Sequence, residues 1–183
     1  QGYLEAMRDG VLPADRAQFD SLLEETGRLV RLARSLDTLA EGDAGRSLRA
    51  VDVDLVAQVR SATDLAEPGM RARRISVRVQ APPALAVLVD PDALAQVMAN
   101  LLSNATRYTP EGGLVDIVVS PTGTRTARVE VTNTGLGIPA TDLPHVFERF
   151  YRVDTSRAVA SGGAGIGLAI VARVVQRHGG RVW

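Results

Sequence analysis

The sequence predicts an α+β protein, with an antiparallel helical hairpin over residues 1–44 followed by a mixed α/β domain over residues 45–183. Three observations carry this prediction. Phe19, Leu22, Thr26, Leu29, Ala33, Leu36 and Ala40 recur at 3-4-3-4-3-4 spacing, the a/d seam of a coiled coil or bundle. After the small polar linker Gly42–Gly45 the helical pattern gives way to short alternating runs such as Ile75, Val77, Val79. A second helical period appears at Val97, Leu101 and Ala105, inside an otherwise mixed region.

Composition sets the bounds. The chain has 183 residues and 45% hydrophobic content, enough for a real core. Lys+Arg and Asp+Glu both number 21, so no whole-chain field points to nucleic acid or a membrane surface as partner. The absence of cysteine excludes disulfides and thiolate metal sites. No apolar run approaches the roughly 18 residues of a membrane span, which points to a soluble, cytoplasmic piece whose parent can still be membrane-anchored.

Taken in order, Leu4, Met7 and Val11 form the end of one amphipathic helix, and Pro13 with Asp15 breaks it and caps the next. The exposed seam of such a hairpin favours dimerisation, as a homodimer or a heterodimer, into a four-helix bundle. Ser47 to Val51 is expected to be a short strand, Leu55 to Ala66 a helix ended by Pro68 and Gly69, and Ile75 to Val79 a strand. Another strand, Val87 to Val89, leads to Asp90 and Pro91, a cap and a first-turn proline that open the helix through Tyr108. Strands Leu114 to Ser120 and Arg125 to Thr132 make an antiparallel hairpin. A short helix near Ala140 to Phe147, a polar loop and a helix from about Ile166 to His178 complete the pattern.

On the helix over residues 96–110, Asn100 and Asn104 lie one turn apart and share a face. Asparagine competes for backbone hydrogen bonds, so such a pair calls for a reason. Downstream, Asn133-Thr134-Gly135-Leu136-Gly137-Ile138-Pro139 puts a hydrogen-bonding side chain at a strand end before two glycines that admit a ligand close to the backbone. The run Gly162-Gly163-Ala164-Gly165-Ile166-Gly167-Leu168 opens into a helix whose free amides and dipole attract phosphate. It lacks the Lys-Ser/Thr of a Walker loop.

In order, these segments, with Phe147-Glu-Arg149-Phe150-Tyr151-Arg152 and Gly179-Gly180, resemble the N, G1, F, G2 and terminal glycine boxes of two-component sensor histidine kinases. The likeness covers about residues 96–183, and the hairpin resembles the family's dimerisation and phosphotransfer helices. It implies a Bergerat-type ATP-binding fold, a two-layer sandwich with a mixed sheet covered by helices on one face. By the same likeness Asn104 holds Mg²⁺ against the phosphates of ATP, Arg107 pairs with phosphate and Tyr108 lies along the nucleotide. Asn133, Gly135, Gly137 and Ile138 form the base end. Residues 145–163 form a lid with Phe150 as anchor and Arg152 reaching the terminal phosphate, and Gly163, Gly165, Gly167 and Leu168 wrap the phosphates.

The sequence departs from the family's pattern in two places. The family commonly has aspartate where Asn133 stands, so adenine recognition is expected to be weaker or more permissive. No His-Glu-x-Arg-x-Pro phosphoacceptor box is present, and His145 and His178 are the only histidines. Gln1-Gly2-Tyr3 resembles the sequence just after that box. The expectation is therefore a kinase cut there, or the ATP-binding half of a split one, acting on a histidine-bearing segment or chain and feeding a response regulator. Related ATPases carry a water-activating glutamate where this chain has Asn100, a poor base, which favours phosphotransfer over hydrolysis. The alternative is a nucleotide-sensing or dimerising pseudokinase. At the other end, Arg181-Val182-Trp183 is expected to begin a truncated strand.

Overall fold

The computed structural model describes residues 48–135, 137–153 and 165–183, with Asp15, Phe19 and Thr26 in addition. The chain divides into two compact units, residues 1–41 and 42–183. In the first, Phe19 and Thr26 are helical, and the Phe19 amide donates to the Asp15 carbonyl at 3.1 Å. The rest of the expected hairpin, with the other residues of its dimer seam, lies outside the described residues.

In the second unit, β1 (Val51–Asp54) runs into α1 (Leu55–Ala72), followed by β2 (Ser76–Gln80), β3 (Ala86–Val89) and α2 (Pro91–Tyr108). Next come β4 (Leu114–Pro121), β5 (Ala127–Asn133), a 3₁₀ turn at Leu143–His145 and α3 (Gly167–Arg177). β1 and β3 pair antiparallel as a separate ribbon. The main sheet has the order β2-β4-β5, with β2 parallel and β5 antiparallel to β4, so it is mixed.

Strand alternation makes the sheet two-sided. Val115, Ile117 and Val119 of β4 are buried beneath Val56, Val59 and Met70 of α1 and Met98, Leu102 and Ala105 of α2. Val77, Val79, Val129 and Val131 complete that layer from the flanking strands. The alternate positions Arg78, Asp116, Ser120, Glu130 and Thr132 fall on the opposite, polar face. Among the described residues α1 and α2 cover one face of the sheet, a two-layer α/β sandwich. Within the helical layer α2 packs against α1 and against α3.

Four expectations about elements need correction. β1 begins at Val51, where the first expected strand ends, because Val51 to Asp54 is the segment in register with β3. α1 runs through Pro68 and Gly69 to Ala72, because Met70 beyond them is fully buried and the next turn must dock with it. A proline costs a helix only its own amide bond and the crowding of one carbonyl, which burial of a core side chain can offset. The segment 140–147 holds only a 3₁₀ turn, with Pro144 inside it. Arg181 to Trp183 adopt no strand, and the Arg128 guanidinium sits 5.1 Å from the Trp183 ring centroid.

The capping chemistry of α2 follows the sequence. Asp90 accepts from the amides of Asp92 (3.0 Å) and Ala93 (3.2 Å), and Pro91 fills the first turn, where no amide is needed. The buried stripe comprises Leu94, Val97, Met98, Leu102 and Ala105, while Leu101 is only half-buried. The inward face is thus turned slightly away from the Val97-Leu101-Ala105 line.

Candidate functional site

The site forms where the C-terminal half of α2, the end of β5 and the start of α3 meet. Asn100 is half-buried and its amide is committed. Its Nδ2 donates to the Gln96 carbonyl at 2.9 Å, and its Oδ1 lies 3.0 Å from where a Cβ on Gly167 would stand. Gly167 thus permits α3 to begin directly against α2, and Asn100 forms part of that contact rather than an open acid–base position. Asn104, one turn on and half-buried, has no hydrogen-bond partner among the described residues. Its carbonyl oxygen is a neutral hard donor, and a single protein oxygen suits an ion that retains waters and takes phosphate oxygens, so Asn104 fits the Mg²⁺ assignment.

The last turn of α2 is tied down on every side. Arg73, just past α1, donates through Nη1 to the carbonyls of Thr106 and, at 3.1 Å, Arg107. Thr109, fully buried, returns its hydroxyl to the Ala105 carbonyl at 2.6 Å. The Tyr108 carbonyl sits 2.8 Å from the position of a Cβ on Gly135, so β5's exit can approach α2 only with glycine there. These contacts fix Arg107, which is half-buried, and Tyr108, which is 58% exposed. Neither Arg73 nor Thr109 announces itself in the sequence, since each acts through backbone carbonyls that pattern reading does not see.

Asn133 ends β5 with an exposed side chain whose Nδ2 donates to the Thr134 carbonyl at 3.3 Å, leaving Oδ1 as a solvent-facing acceptor. Thr134 pins the turn to β4, its amide and the Leu114 carbonyl meeting at 2.9 Å. Gly137 has φ +70°, a left-handed backbone that favours glycine, and Ile138 beside it is exposed.

At the far side, the Phe150 amide donates to the Gly165 carbonyl at 2.8 Å, with Phe150 at φ +66° and Gly165 at φ +68°. A Cβ on Gly165 would come within 2.8 Å of the Phe150 backbone. Phe150 fastens this junction with its backbone, while its ring is 63% exposed. The Tyr151 hydroxyl donates to Asp142, whose carboxylate pushes that phenol above its ordinary value. His145 bonds Glu148 at 2.7 Å and lies 5.3 Å from the Tyr151 ring. Arg152 is half-buried at the edge of this cluster. Gly163 and most of the expected lid lie outside the described residues.

Between these walls stands the N-terminus of α3. Ile166 at its cap position supplies no side-chain hydrogen bond, in contrast to Asp54 on α1 and Asp90 on α2. The first intrahelical bond runs from Ile170 to Ile166, and among the described residues the amides of Gly167, Leu168 and Ala169 meet no acceptor. Such a terminus carries about half a positive charge and accommodates phosphate. The start of α3 and the exit of β5 are thereby both brought against α2, Gly167 at Asn100 and Gly135 at the Tyr108 carbonyl.

The family profile described as histidine kinase-, DNA gyrase B-, and HSP90-like ATPase matches residues 89–183. Among curated proteins, the signal transduction histidine-protein kinase BaeS of Escherichia coli is 34% identical over the whole chain, which corresponds to 39% of BaeS. The chain thus spans well under half the length of that relative. Among solved structures, the catalytic domain of histidine kinase ThkA aligns with a TM-score of 0.66 at 28% identity, covering 74% of this chain and 86% of that one. Full-length ShkA in complex with AMPPNP aligns with a TM-score of 0.75 at 29% identity, covering 92% of this chain and 35% of that one. With its helix-covered mixed sheet and its glycine-lined site at the end of α2, the chain belongs to the histidine kinase-, DNA gyrase B- and HSP90-like ATPase family and carries that family's ATP-binding domain.

Proposed function

We propose that this chain is the ATP-binding catalytic module of a two-component sensor histidine kinase. It binds Mg·ATP and passes the γ-phosphoryl group to a histidine outside this sequence, for relay to a response-regulator aspartate. The observation that carries the reading is the uncapped start of α3, set by Gly167 against the face of α2 that holds Asn104.

In this role the amides of Gly167, Leu168 and Ala169 receive phosphate oxygens, and Arg107 and Arg152 offset their charge. Asn104 holds Mg²⁺, which when bound neutralises the phosphates. Asn133 accepts from the adenine amino group, beside a turn that Gly135 and Gly137 keep narrow, and Tyr108 and Ile138 offer it apolar surface. The transferred group leaves ADP and bonds to an imidazole nitrogen of the partner, whose proton goes to solvent. Catalysis is then mostly positioning and electrostatics, with no base required from Asn100. The helical segment before residue 42 supplies the dimer contact, and the histidine lies in a preceding segment or a second chain.

Calorimetric titration of the chain with ATP, with and without Mg²⁺, tests the reading beside Asn104→Ala. Magnesium-tightened binding that the substitution abolishes is expected. A folded chain that binds no ATP in either condition would remove the kinase assignment. Transfer of ³²P to an added histidine-bearing hairpin separates the kinase from a nucleotide-sensing pseudokinase, which transfers none.

A further inference from the structure

We infer that His178 is a positioning residue for the nucleotide site, acting from the opposite end of the helix pair by fixing how far α3 stands along α2. The inference rests on the ATP-binding reading above.

Among the described residues, two polar contacts join α2 and α3. At the site, Gly167 abuts Asn100. At the other end, the Asp90 amide donates to His178 Nε2 at 3.1 Å. Ten residues separate Asp90 from Asn100 and eleven separate Gly167 from His178, about 15 Å and 16.5 Å of helix. The helices therefore run side by side in opposite directions, joined at both ends. Between these points the buried residues are apolar, Leu94, Val97 and Met98 on α2 and Ile170, Val171 and Val174 on α3 among them. Apolar packing is strong but non-directional, so it resists separation better than it resists sliding. A hydrogen bond of defined length and angle at one end sets the register that packing leaves loose.

The ring is held in one state for this task. Its Nδ1 lies 2.8 Å from the Val174 carbonyl, which can only accept, so Nδ1 carries the proton. Nε2 then presents the lone pair that receives the Asp90 amide. α3 also ends on a rigid terminus, with Gly179 at φ +71°, its amide bonded to Gln176 and the Gly180 amide to Val175. Movement of His178 therefore moves α3 as a unit, and with it the amides of Gly167 and Leu168 relative to Asn104.

Two substitutions separate the long contact from the local one. His178→Gln places an acceptor where Nε2 stood, and His178→Asn retains a donor near Val174 but cannot reach Asp90. Dissociation constants for ATP with Mg²⁺ and for adenosine are measured on the whole chain by NMR titration. The glutamine variant is expected to bind ATP within about twofold of wild type, and the asparagine variant about three- to tenfold more weakly, adenosine affinity being unchanged in both. ATP binding by His178→Asn equal to wild type would overturn the role, as would an equal loss for adenosine, which signals general loosening. Wild-type chain that binds no ATP overturns the function itself, and this role falls with it.

Discussion

Position 133 carries an amide where the family commonly places a carboxylate, and its Oδ1 faces solvent while Nδ2 is turned to Thr134. A charged acceptor makes a hydrogen bond of roughly 1.5–3 kcal/mol against 0.5–1.5 for a neutral one. Asn133→Asp is therefore expected to tighten ATP binding by about 1 kcal/mol, near fivefold, in calorimetric titration. A null result would mean that the base end draws its affinity from elsewhere. A different residue contributes to stability toward acid. Burial opposes the charge of Asp90, but the amides of Ala93, Arg49 and Asp92 outweigh it, holding the carboxyl below its ordinary value of 3.8. A depressed carboxylate stabilises the fold above its unfolded pKa, and that contribution is lost as pH falls through the folded value. The melting temperature of wild type should exceed that of Asp90→Ala by an amount corresponding to about 1 kcal/mol at pH 7. The gap should shrink below pH 3.8.

At the scale of elements, the end of α1 shows why some boundaries are legible in sequence and others are not. α3 stops at Gly179, a glycine in the left-handed conformation, and the expected boundary at His178 falls within one residue of the observed one. α1 stops by the same geometry with no glycine. The Ile75 amide bonds the Met70 carbonyl at 2.9 Å, the Arg74 amide bonds Arg71 at 2.9 Å, and Arg74 holds φ +54°. An arginine there looks like any surface residue, so Pro68-Gly69 drew the boundary too early. The left-handed position costs a side chain about 1–2 kcal/mol, partly returned by glycine's looser unfolded chain. Arg74 pairs with Glu111 at 3.2 Å, but both are exposed and such pairs contribute little. Arg74→Gly is expected to stabilise the chain by about 0.5–1 kcal/mol in urea denaturation. The candidate site divides in the same way: the asparagines, the glycines and the helix start are visible as motifs. The fastening by Arg73, Thr109 and the His178–Asp90 contact spans 33 to 88 residues or ends on carbonyls, where local pattern carries no signal.

For the molecule as a whole, the mixed sheet has a consequence in time as well as in space. β4 and β5 are joined by residues 122–126 and pair antiparallel, whereas β2 reaches β4 only across residues 81–113 and pairs parallel. Closing the longer connection costs roughly 1.7 kcal/mol more chain entropy than closing the shorter. The hairpin can therefore assemble on α2 first, and β2 with α1 joins a surface already made. In stopped-flow chevrons, Val129→Ala in β5 is expected to slow refolding, and Val77→Ala in β2 to act mainly by speeding unfolding. Equal effects on refolding would mean that both pairings form together. An order of this kind leaves the nascent edge of β4 open longest. The ribosome, which delivers α1 and β2 before β4 exists, makes the late-docking half of the domain wait for the half that nucleates it.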